Sequence, residues 1–131
     1  MKQSQLSRRT AAMKAQLRAR PGVTEEPVFA PRGTTPVALM YKVMGKTFAI
    51  LSVRQSEYVI VKCDPGLAEA LRAQYAGIGH RSHLDPRHWI SVDLAADVAE
   101  KEVKRLVALS YELVCAGLTR KQKAELAQLS S

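Results

Sequence analysis

The chain has no acidic residue before Glu25, only two cysteines and few aromatic side chains. Each shortage excludes something. Phe, Tyr and Trp together make up 5% of the 131 residues, which argues against a platform for stacking successive single-strand bases. Cys63 and Cys115 lie far apart and nothing resembles C-x-x-C. They read as reduced thiols filling gaps in the core of a cytoplasmic protein. No apolar run approaches the roughly 18 residues of a membrane span, so no membrane role is expected. Met1 to Arg20 lacks the apolar block of a secretory signal. Its Arg-rich, acid-poor character is shared with organelle transit peptides, but the plain expectation is cytoplasmic. There is no P-loop, no G-x-G-x-x-G and no G-x-S-x-G.

What remains is an ordinary globular composition with an unusual charge. Hydrophobic residues make up 47% and charged residues 24%, and the length suits a single domain, 1–131. Twenty Lys and Arg against twelve Asp and Glu give a net charge of +8. Such a balance favours anionic partners, nucleic acid above all. Much of the surplus sits at the start, on Lys2, Arg8, Arg9, Lys14, Arg18 and Arg20.

Periodicity orders the elements. Leu6, Met13 and Leu17 share a face of a basic helix over about 4–19, which Pro21-Gly22 stops. Val23 to Pro36, with its prolines and a glycine, reads as an ordered loop anchored by Val28 and Phe29. Three strands follow as an antiparallel meander: Val37 to Val43, Lys46 to Val53 and Tyr58 to Lys62. Met44-Gly45 forms the first hairpin turn and Arg54 to Glu57 the second. Asp64-Pro65 starts a helix, as N-cap and first helical residue, with Leu67, Leu71 and Tyr75 on its buried stripe and Gly77 closing it. Ile78 to Pro86 is irregular or a short strand, and Trp89 to Leu94 alternates as a half-buried strand. Asp97 with Glu100 resembles a capping box opening a long helix. Thr119 with Gln122 forms another, opening a short helix over 120–129. The sum is an α+β two-layer domain, with helices packed on an antiparallel sheet.

Two groups of residues could carry function. His80, His83, Asp85, His88 and Asp93 are potential metal ligands, but their spacing matches no specific ligand pattern and Arg81 and Arg87 would repel a dication. Cys63 precedes a helix start, where a thiolate is favoured, yet its simplest role is structural. The second group is basic. Lys42 and Lys46 flank one tight turn, Lys62 ends a strand, and Arg81, Arg87 and His88 lie in the loop before the last strand. Hairpins and loops of this kind can act as wings that grip phosphates or enter a groove.

Several stretches, taken in order, resemble the MmcQ/YjbR family. They are Pro21-Gly22-Val23-Thr24-Glu25, Tyr41 to Ala49, Lys62-Cys63-Asp64-Pro65, Leu71-Arg72, His83, Arg87 to Val92, and Ser110 to Val114. The resemblance runs from about Arg20 to Leu118, so the core is placed at about 20–118. It implies an α-β(3)-α-β(2)-α domain, with its fourth strand near His80 to Leu84. It also implies a small DNA-binding protein using a double-wing arrangement, with a biochemical role that is largely unestablished in the family. One departure concerns the loop before His88-Trp89. Asp85-Pro86 stand where the family usually has Asn-Lys, so a basic residue is lost there, and Arg81 is the neighbour able to compensate.

The expectation is therefore a non-enzymatic, cofactor-free, metal-free DNA-binding protein, a monomer or weak homodimer. Lys42, Lys46 and Lys62 would contact backbone phosphates, and Arg81, Arg87 and His88 a phosphate or groove edge. A protein-interaction module is the alternative, followed by a small-molecule or metal site around His83, His88 and Cys63.

Overall fold

The computed structural model describes residues 8–53, 56–95 and 97–130. The expected helix residues before Arg8 and positions 54 and 55 of the expected second turn fall outside that range. The elements are α1 (Arg8–Arg18), β1 (Val23–Phe29), β2 (Pro36–Val43), β3 (Lys46–Ser52), β4 (Tyr58–Lys62), α2 (Pro65–Gln74), β5 (Ile78–Gly79), β6 (Trp89–Asp93), α3 (Glu100–Ala116) and α4 (Arg120–Ser130). These six strands join one sheet in the order β1-β2-β3-β4-β6-β5, every neighbouring pair antiparallel. The fold is α+β, with helices packed on an antiparallel sheet.

Alternation along the strands explains the two sides of the sheet. Leu39, Tyr41 and Val43 of β2, Ala49 and Leu51 of β3, Val59 and Val61 of β4, and Ile90 and Val92 of β6 are all buried. Cross-strand pairs such as Leu39 with Leu51, Leu51 with Val59 and Val59 with Val92 put them on one face. That face meets Val103, Leu106, Val107 and Val114 of α3 and Met13 and Leu17 of α1 in one hydrophobic core. Burying this much aliphatic surface is what holds the layers together.

The β2–β3 hairpin turns at Met44-Gly45, both with positive φ, 50° and 82°. That is the twist a two-residue turn needs between right-twisted strands. Asp64 caps α2 as its sequence suggests, accepting from the N–H groups of Gly66 and Leu67. Thr119 and Gln122 also form their reciprocal box at the start of α4. Gly22 has φ 72°, and Leu126 of α4 approaches to 2.6 Å from where a Cβ would stand. The positive φ favours glycine, and a Cβ here would also have to push the Leu126 side chain aside.

Four features differ from expectation. Val23 to Phe29 is a strand, not a loop, so four strands precede α2. Prolines and the Glu25-Glu26 pair disguise it, yet it pairs with β2 from Val23–Val43 to Phe29–Pro36. Pro27 sits where it is tolerated, on the outer edge of the sheet. The strand after α2 is Ile78–Gly79, with 80–88 left as loop, and α2 ends at Gln74, ahead of Gly77. Asp97 caps no helix. Its carboxylate accepts from the N–H groups of Ala76 and Gly77, at 3.0 and 2.8 Å, and α3 begins after Ala99 without a side-chain cap.

Candidate functional site

The helices cover one face of the sheet, and the other face carries the side chains of Met40, Lys42, Ile50, Ser52, Tyr58, Ile60 and Lys62 by alternation. The 80–88 loop folds across the middle of this second face, so His80 to Leu84 and Ile50 line a common cleft. This accounts for the burial of Ile60 and Ser91 on the side away from the helices.

The loop is held by its own hydrogen bonds. Asp85 is the organiser: its carbonyl accepts from the N–H groups of His88 and Trp89, each at 3.0 Å. One carboxylate oxygen accepts from the N–H of Arg87 at 2.9 Å, and the other meets Nδ1 of His88 at 2.9 Å. The Arg87 N–H, ahead of the His88 ring, holds the Asp85 carboxyl below the usual carboxylate range. Nε2 of His80 donates to the carbonyl of Leu84 at 2.6 Å. The carbonyl of His88 accepts from the N–H of Cys63 at 2.7 Å and so joins the loop to the start of α2.

The six basic candidates fall in three places. Lys46 stands exposed at the hairpin tip, opposite Val43, and Lys42 lies on the open face, opposite Thr47. Lys62 is at the same end of the sheet, on β4. Arg87 and His88 lie in the loop just before β6, where Lys62 pairs in register with Trp89. Arg81 is set apart from these. Its guanidinium carbon lies 4.1 Å from the centre of the Tyr58 ring, near the opposite end of β4. Sequence reasoning missed two further participants. Glu26 pairs with Lys42 at 3.1 Å, a partner hidden because β1 read as a loop. Tyr58 supports Arg81, and its signal was the alternation of Tyr58, Ile60 and Lys62 against buried Val59 and Val61.

The remaining candidates stay dispersed. Among the described residues no three His, Cys, Asp or Glu side chains come together to hold a metal ion. Cys63 is 4% exposed, and burial pushes its thiol up, away from the thiolate a nucleophile needs. No helix among the described residues is long and apolar enough to cross a membrane.

The same framework occurs in known proteins. The crystal structure of Deinococcus radiodurans protein DR2400 superposes with a TM-score of 0.77 at 26% identity, over 89% of this chain and 86% of that one. A Pseudomonas syringae protein superposes at 0.62 and 21% identity, over 82% and 98%, which shows the fold alone. By sequence, the uncharacterized protein YjbR of Escherichia coli K12 is 31% identical over 93 residues, 70% of this chain and 79% of its own length. The uncharacterized protein YbdF of Escherichia coli O157:H7 is 28% identical over 85 residues, 64% of this chain and 70% of its own. The YjbR family model matches residues 18–113, from the end of α1 through most of α3, and the chain belongs to the YjbR family.

Proposed function

We propose that this protein binds double-stranded DNA without catalysing a reaction, gripping mainly the phosphate backbone. One observation carries the reading. The sheet face opposite the helices carries Lys42 of β2 and Lys62 of β4, the 80–88 loop that crosses it bears Arg81, Arg87 and His88, and Lys46 stands exposed at the adjoining hairpin tip, opposite Val43. A hairpin tip and a loop lying across the same sheet can follow a duplex, placing point charges against successive phosphates. The net charge of +8 adds long-range attraction for a polyanion. Among the described residues neither Lys46 nor Arg87 is ion-paired, so both are available to phosphate. Lys42 has Glu26 as a standing partner and contributes less. In this reading the protein works in the cytoplasm, needs no cofactor, and is a monomer or weak homodimer.

Fluorescence anisotropy with labelled duplex across a salt titration tests it. The wild-type affinity should fall steeply with salt. Replacing Lys46 and Arg87 together by alanine should weaken binding and flatten the slope by roughly 0.9 for each phosphate no longer neutralised. Absence of binding at low salt, or an unchanged slope in the double variant, overturns the proposal.

A further inference from the structure

The open face also holds a cleft whose apolar floor the DNA reading leaves unused. It encloses about 420 Å³ and is lined by Ile50, Ile60, Ser52, Ser56, Tyr58 and Arg81, with Val37 and Ala38 at the side. Ile50 and Arg81 continue into an adjoining lobe under the 80–84 loop. That volume falls in the range of small-molecule sites.

Its polar groups converge on one spot. The Arg81 guanidinium lies over the Tyr58 ring at 4.1 Å, and its Nη2 donates towards Ser56 Oγ at 3.5 Å. The Ser52 hydroxyl donates to the Ser56 carbonyl at 2.7 Å, which sets the neighbouring backbone. Among the described residues no carboxylate is ion-paired with Arg81. A guanidinium held against an aromatic face, with donors left over, is prepared for a two-pronged contact with a planar anion. Among the described residues lining this cleft, Arg81 alone carries a full charge. Beside it the floor is aliphatic, supplied by Ile50 and Ile60.

The outer wall is already ordered. His80 donates to the Leu84 carbonyl, and Ser82 Oγ accepts from the Leu84 N–H at 3.2 Å. A ligand entering here therefore has little loop-ordering entropy to overcome.

We propose that this cleft binds a small amphipathic organic anion, its carboxylate held by Arg81 and its apolar ring or chain lying on Ile50 and Ile60. A DNA phosphate supplies the charge but no apolar body for that floor. The inference shares Arg81 with the DNA reading but needs the apolar floor besides, and it is tested without nucleic acid.

The test is a set of NMR titrations of the ¹⁵N-labelled full chain with phenylbutyrate, with its neutral amide, and with inorganic phosphate. Saturable millimolar shifts at the amides of Ile50, Ser52, Tyr58 and Ile60 are expected with the carboxylate. The neutral amide should bind about tenfold more weakly, and phosphate should not saturate those signals. Arg81→Ala should abolish the preference for acid over amide, and Arg81→Lys should retain part of it. The acid-versus-amide comparison on the wild-type chain decides the matter even if a variant does not fold. Equal binding of acid and amide, shifts located elsewhere, or none at all overturns the proposal. Alanine at Lys46 should leave these titrations unchanged.

Discussion

The hydroxyl of Ser110, well inside α3, donates to the carbonyl of Phe48 at 2.6 Å across the helix–sheet interface. The reason lies in the β2–β3 register. Tyr41 pairs with Ala49 but Lys42 pairs with Thr47, so Phe48 is a bulge residue without a partner on β2. A bulge leaves backbone groups unpaired, and Ser110 supplies the missing donor. The same oxygen accepts from the N–H of Lys62 at 2.8 Å. One fully buried hydroxyl thus joins α3 to both β3 and β4.

Ser110→Ala should therefore be costly despite its small change in volume. It strands the Phe48 carbonyl and the Lys62 N–H together, for a loss of about 2–4 kcal/mol. Urea denaturation followed by circular dichroism measures it. A loss no larger than that of an ordinary surface substitution would mean that water replaces the hydroxyl.

A second prediction concerns acid. Glu25 accepts two hydrogen bonds from Arg18, at 2.9 and 2.7 Å, and a third from the Tyr41 hydroxyl at 2.5 Å. Those to Arg18, outweighing partial burial and aided by Tyr41, hold the Glu25 carboxyl below its ordinary value of 4.5. A lowered carboxyl stabilises the fold above the unfolded-state value, and that contribution is lost as pH falls through the folded-state value. Glu25→Gln should therefore cost about 1 kcal/mol at neutral pH, kept small because Arg18 is half exposed. The gap between variant and wild type should close below pH ~4.5. Thermal melts at several pH values check this, and a gap that widens in acid contradicts it.

A third prediction concerns the thiols. Burial is the leading cause that pushes both Cys63 and Cys115 up from the ordinary thiol range. Cys63 should react with a thiol-specific reagent only at the rate of unfolding or local opening. Cys115, half-buried, should react faster than Cys63 but more slowly than a free thiol. Both should react at once in denaturant. Rapid labelling of Cys63 in the native chain would show that its cover opens readily.

Legibility in the sequence follows the range of the interactions. The Met44-Gly45 turn, the Asp64-Pro65 start and the Thr119–Gln122 box depend on residues within four positions, and each forms as its residues suggest. Asp97 and Glu100 carry an equally good local pattern, but the N–H groups of Ala76 and Gly77, some 20 residues earlier, take the carboxylate. The first strand is unreadable for a similar reason. Pro27 and two adjacent glutamates look like loop until Arg18, Tyr41 and Lys42 come round to receive the acids. The basic candidates can be named from spacing and resemblance. That Lys42 is partnered, and that Arg81 lies on Tyr58 away from the hairpin tip, depends on strand order.

Pro27 has a consequence beyond strand identity. The sheet has two borders, one formed by β1 and the other by β5, which is two residues long. The long border is interrupted by a residue that cannot donate a backbone hydrogen bond and carries Glu25 and Glu26 just before it. A foreign strand seeking to extend the sheet meets a missing donor on one side and almost no length on the other. The fold is thereby guarded against growing by strand addition, the route by which exposed sheet edges turn into aggregates.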